Sequence, residues 1–103
     1  MSMIVEFSIV PMGKGVSISP IIADVMKIVV ASGVSYRINA MGTVVEGEWD
    51  KVIGVVKSCH DLVMQDAERA ITLIKIDDRK GKDARMDKKL AAVEQKLGMM
   101  LKK

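Results

Sequence analysis

Apolar and polar positions alternate with a period of two from Met3 to Val10, with Met3, Val5, Phe7 and Ile9 on one face and Ile4, Glu6, Ser8 and Val10 on the other. That period predicts a β-strand. Pro11-Met12-Gly13-Lys14-Gly15 ends it, because proline cannot continue a central ladder and the glycines permit a turning backbone. Ser19-Pro20 then reads as a helix start, with the serine hydroxyl capping an orphan N–H and proline at the first helical position. This helix is predicted to run to about Ser32, where Gly33 ends it in a left-handed conformation. Ile21, Ile22, Val25, Met26, Ile28, Val29 and Val30 occupy most of its circumference, so it must be widely buried.

Tyr36, Ile38 and Ala40 alternate with Arg37 and Asn39 between Ser35 and Met41, and a Gly42-Thr43 turn leads into Val44-Val45-Glu46, which together predict a hairpin. Val52, Val55, Val56, Cys59, Val63 and Met64 recur at helical spacing and predict a second helix from Trp49 to Gln65, with Asp50 in its first turn. Ala70 to Ile76 is a fourth strand with a continuous apolar run, and Asp77 to Arg85 is a polar connector. Asp87 through Leu101 carries Leu90, Val93 or Ala92, Leu97 and Leu101 on one thin apolar stripe, a third helix. Strand, helix, strand, strand, helix, strand with right-handed crossovers is the ferredoxin-like α+β sandwich, a four-stranded antiparallel sheet with two helices on one face plus a C-terminal helix. The opposite face would then expose Ile4, Val10 and either Ile71 with Leu73 or Ile74 with Ile76. A patch of that kind marks an interface, and self-association through the sheet follows, with the third helix docked on a neighbour or on the sheet rim.

The 103 residues are half apolar and 28% charged, which suits one domain spanning 1–103 and excludes disorder. The longest apolar stretch, Val25 to Val34, is broken by Lys27, Ser32 and Gly33, far short of the roughly 20 residues a membrane span requires. The N-terminus lacks the basic and apolar regions of a signal peptide, so a cytoplasmic protein is expected, and one cysteine, Cys59, agrees with a reducing compartment. The net charge of +3 is unevenly placed. Residues 1–76 carry seven basic against eight acidic side chains, and residues 77–103 nine against five. With a globular part that is not basic, and Phe7, Tyr36 and Trp49 as its aromatics, the chain does not suit nucleic acid.

Candidate chemistry is sparse. The loop around Lys14, Ser17 and Ser19 places glycines, a lysine and hydroxyls before a helix N-terminus, without Walker spacing, and reads either as a capped turn or as a ligand cradle. Glu46 is a carboxylate on a strand, which pairs with Arg37, Arg69 or Lys75 across strands or accepts from a ligand amino group, with Tyr36 or Met41 as an apolar wall. Arg69, Lys75 and Arg79, near Thr72 and Asp77, read as strand-end charges or as an anion or interface cluster. Cys59 and His60 are adjacent on a helix and so point about 100 degrees apart, which argues against a catalytic pair, and a lone histidine supplies no histidine-rich metal site.

Pro11 to Ser19, Ser32-Gly33-Val34-Ser35-Tyr36, Met41 to Gly47, Arg69 with Thr72, Lys75-Ile76-Asp77 and Arg79 form an ordered series that resembles the small thiamine-binding protein family. The resemblance covers nearly the whole chain. It implies a ferredoxin-like protomer in a homotetramer built from dimers, binding thiamine or its hydroxymethylpyrimidine moiety at a subunit interface without catalysis, cofactor or metal. Mapped onto this sequence, it implies ligand contacts from Ser17, Ser19, Tyr36, Met41, Thr43, Glu46 and Thr72, with Glu46 accepting from the aminopyrimidine and offsetting the thiazolium charge. Because the fold hosts many functions, an amino-acid or anion-binding regulatory module and a ligand-free structural oligomer are the alternatives.

Overall fold

The computed structural model describes residues 2–13, 15, 18–81 and 86–102. The elements are β1 (Ser2–Pro11), α1 (Ser19–Ser32), β2 (Ser35–Asn39), β3 (Gly42–Glu48), α2 (Trp49–Met64), β4 (Ala70–Asp77) and α3 (Met86–Leu97). The strands form one antiparallel sheet in the order β2-β3-β1-β4, and the chain has the ferredoxin-like βαββαβ arrangement with an added C-terminal helix.

The pleat decides the two faces. Met3, Val5 and Phe7 of β1 and Val45 of β3 join Val25 and Val29 of α1 with Val52, Val55, Val56, Cys59 and Val63 of α2 in one core. Small β-branched side chains dominate it, which lets both helices lie close against the pleat. The apolar run of β4 left its orientation ambiguous, and pairing with β1 resolves it. Ser8 faces Leu73 and Val10 faces Ile71, so these four share the face away from α1 and α2. Ile74 and Ile76 point to the helix side, yet both stay exposed because β4 is the sheet edge and the helices cover its centre.

Three local expectations are corrected. First, α1 begins one residue earlier than Ser19-Pro20 suggested, so Ser19 lies within the helix and does not cap it. Ile18 stands at the N-cap without a side-chain bond, and its carbonyl accepts from the Ile22 N–H at 3.0 Å. The other end is as expected: Gly33 adopts φ 79° and donates to the Val30 carbonyl, a conformation open to glycine at no steric cost.

Second, the hairpin turns at Ala40-Met41, not at Gly42-Thr43. The Asn39 side-chain oxygen accepts from the Met41 N–H at 2.9 Å, an Asx-type closure that fixes the turn over two residues. Gly42 therefore lies in β3, where a Cβ would stand 3.1 Å from the Phe7 carbonyl oxygen. The glycine lets β3 approach β1 closely at this point.

Third, α3 is not confined to the sheet rim. Its first turns lie over the face that α1 and α2 leave open, where Met86 packs with Ile4 and Val44. Arg37 pairs with Asp87 and Lys89 with Asp77. Leu97 ends the helix, Gly98 follows at φ 75°, and the Leu101 N–H returns to the Glu94 carboxylate at 2.6 Å.

Candidate functional site

The two edges of β1 are not equally long. β4 accompanies it to Pro11, whereas β3 pairs with it only as far as Phe7, opposite Thr43. Beyond Phe7 the β3 side of β1 borders a notch of about 380 Å³. The hairpin tip supplies one wall through Asn39, Met41 and Thr43, and the start of α1 supplies the other through Ile18, Ile21 and Ile22. In an antiparallel strand every second residue aims its N–H and C=O at a given edge, so the Ser8–Val10 stretch offers backbone donors and acceptors that β3 does not take up. None of the described lining residues is charged. An uncharged, mostly apolar slot with a backbone edge suits a flat neutral heteroaromatic ring carrying donors and acceptors of its own.

Phe7, Ser8, Met41 and Leu73 are shared with a neighbouring cavity of about 420 Å³ on the open face, which Glu6 and Lys75 complete. Those two also line a third cavity, of about 460 Å³, floored by Ile4 and Val44 and roofed by Met86 and Leu90 of α3. A continuous trough thus runs from the notch, past a carboxylate and an ammonium on adjacent strands, to α3.

The structure does not bring the expected site residues to one point. Met41 and Thr43 line the notch, with Thr43 buried and its hydroxyl donating to the Met26 sulfur at 3.6 Å. Ser19 is exposed at the start of α1, close to Ile18, while Ser17 and Lys14 lie outside the described residues. Tyr36 pairs with Val45 and so points to the helix side of β2. Thr72 also faces the helices, where its hydroxyl meets His60 Nδ1 at 2.6 Å. Glu46 pairs with Ile4 on the opposite face, and its Oε2 accepts from the Met86 N–H at 3.1 Å. It makes no ion pair with Arg37, Arg69 or Lys75. A carboxylate at a helix N-terminus takes up an orphan donor and suits the macrodipole, so Glu46 serves as the cap of α3 from forty residues upstream. Arg69 is exposed, and its carbonyl receives the Met12 N–H at 2.7 Å; Arg79 is exposed in the connector. Of Arg69, Lys75 and Arg79, Lys75 lines the trough.

Sequence reasoning passed over Glu6, Ser8, Asn39 and Ile22 as site residues. The mixed face of β1, with Glu6 and Ser8 between Ile4 and Val10, was the available signal for the first two.

Comparison with known proteins decides the family. A family model described as thiamine-binding protein matches residues 5–94. The chain belongs to this thiamine-binding protein family. The match takes in β1 from Val5, the notch, the trough except Ile4, and α3 as far as Glu94. A UPF0045 protein of Methanocaldococcus jannaschii is 36% identical over 90 residues, 87% of this chain and 90% of its own. One from Mycobacterium bovis is 37% identical over 98 residues, 94% of this chain and 96% of its own. The crystal structure of the Methanocaldococcus protein superposes with a TM-score of 0.85 at 34% identity, covering 91% of this chain and 97% of the other. A Thermotoga maritima protein named for thiamine biosynthesis or salvage shares the fold, with a TM-score of 0.79 at 22% identity over 90% of this chain and 99% of the other. Membership supports a ligand-binding role. Among the described residues no helix is long and apolar enough to cross a membrane, and no group of three or more His, Cys, Asp or Glu side chains could hold a metal ion.

Proposed function

We propose that the protein binds thiamine, or its hydroxymethylpyrimidine moiety, in the notch and does not turn it over. The observation that carries this reading is the meeting of two separate stretches of the family resemblance, the Pro11–Ser19 segment through Ile18 and the Met41-Gly42-Thr43 segment, around one slot uncharged among the described residues, beside the edge of β1 that β3 leaves beyond Phe7. An aminopyrimidine presents a donor next to ring acceptors, the pattern that a strand edge complements. Met41, 87% exposed at the mouth, offers a polarizable thioether to the ring face. Glu46 takes no part, being engaged with α3. Val10 and Leu73 line the notch and continue into the apolar open face, so a second copy seated there would close it, making the pocket an element of a homo-oligomer in the cytoplasm.

Calorimetric titration with thiamine, hydroxymethylpyrimidine and free amino acids tests the reading, with Ile22→Trp as the blocking variant. Ile22 is 40% exposed and lines the notch, so the larger ring fills the slot without entering the core. Saturable binding of the two pyrimidines by the parent and its loss in the variant are expected. Binding of amino acids instead, or pyrimidine binding that survives Ile22→Trp, would overturn it.

A further inference from the structure

The notch holds no charge, yet the trough it opens into carries, next to the notch, a carboxylate and an ammonium that make no ion pair among the described residues, Glu6 and Lys75. We propose that the site selects a monophosphate ester of thiamine, with the pyrimidine in the notch, the thiazolium against Glu6 and the phosphate on Lys75. This rests on the notch reading above and adds the other half of the ligand.

The order of groups is the argument. Cavity and notch share Phe7, Ser8, Met41 and Leu73, so a ligand passes from one to the other without leaving the surface. The notch lies on the β3 side of β1 and the strands run β3-β1-β4, so across the sheet Glu6 on β1 comes next and Lys75, its cross-strand partner on the same face of β4, after it. The other cations of the trough are engaged, Arg37 with Asp87 and Lys89 with Asp77. Among the described residues Glu6 and Lys75 form no ion pair, with each other or with a third group.

A thiazolium nitrogen is quaternary and donates no hydrogen bond, so recognition of its charge requires an opposite charge nearby, which Glu6 supplies. Lys75, one strand further, repels a ligand that ends in a cation and attracts one whose cation is followed by an anion. Hydroxymethylpyrimidine engages neither side chain, thiamine engages Glu6 against the repulsion of Lys75, and the monophosphate satisfies both. The resulting order of affinity is monophosphate over thiamine.

Titration of the parent, Glu6→Gln and Lys75→Met with hydroxymethylpyrimidine, thiamine and thiamine monophosphate tests this, with melting temperature as the control for folding. Both side chains are exposed, so neither change should disturb the core. Charge-assisted contacts of this kind should make the parent prefer the monophosphate to thiamine by about tenfold, and Lys75→Met should erase the preference. Glu6→Gln should weaken thiamine relative to hydroxymethylpyrimidine, whose own affinity stays unchanged. Equal affinity of the parent for thiamine and its monophosphate, or a preference that survives Lys75→Met, overturns the proposal while leaving the notch reading in place. Absence of binding to all three ligands removes both. Inorganic phosphate alone should not compete, since without the ring it has only one exposed ammonium to hold it; competition at the same concentration would also count against the proposal.

Discussion

Cys59 shows how a neighbouring pair in sequence is separated in space. Its side chain is fully buried, with Sγ 3.8 Å from the Val25 carbonyl oxygen, and burial pushes the thiol up from its ordinary 9.0 to about 11. His60, one residue on, turns to Thr72 of β4. The thiol is therefore packing material, and its titration bears on stability. A folded-state value above the unfolded one means that the unfolded chain loses its proton first. Stability from this group is intact below pH 9.0 and declines as pH rises towards 11, by about 1.4 kcal/mol per pH unit. Urea denaturation at pH 8, 9 and 10 should show a steeper decline for the parent than for Cys59→Ala. Equal slopes would mean that the thiolate is tolerated where it stands. Helical spacing made the burial of Cys59 readable, whereas the partner of His60 was not, because it lies on a strand twelve residues away.

At the scale of the element, α3 is the part least secured by packing. It meets the sheet through Met86, which is buried, while Val93 and Leu97 of the helix and Met99 and Met100 just beyond it remain 48 to 75% exposed. Its ion pairs to Arg37 and Asp77 are solvent-exposed, and pairs of that kind contribute little. The Glu46 carboxylate at its N-terminus is then a principal anchor, comparable with a capping interaction of about 1 kcal/mol. Glu46→Ala should accelerate amide hydrogen exchange in α3 by roughly fivefold while leaving α2 unchanged. Exchange that stays the same in α3 would assign its docking to Met86 alone. An anomalous strand carboxylate was visible in the sequence as a residue in need of a partner. Which partner it takes depends on where the connector delivers α3, and no local pattern encodes that.

For the whole molecule, the open face beyond α3 sets the expectation. Val10, Ile71 and Leu73 are 43, 46 and 64% exposed and adjacent across β1 and β4. A contiguous apolar patch on a sheet is rarely left to water. β4 is also an edge strand of eight residues, with isoleucine on both faces and no proline to blunt it. Size-exclusion chromatography with light scattering should report a tetramer, or at least a dimer, and Leu73→Lys should shift the mass towards the 11.3 kDa of one chain. A parent that runs as a monomer at micromolar concentration would remove the second copy from the site.

The order of elements was legible in the sequence because period and punctuation are local. A period of two marks β1, helical spacing marks α1 and α2, and Gly33 ends a helix wherever that helix packs. The family was legible for a related reason, since its motifs are short stretches read in order. The site was not, because it arises from differences between elements. The notch exists because β4 follows β1 four residues further than β3 does, and that inequality is a property of two registers together. Register also chose Leu73 over Ile74 for the open face, which an unbroken apolar run left undecided. Glu6 and Lys75, 69 positions apart, become neighbours only when β4 pairs with β1. Side-chain periodicity is set by covalent geometry and so is written along the chain, whereas pairing across strands is a long-range choice made when the sheet assembles.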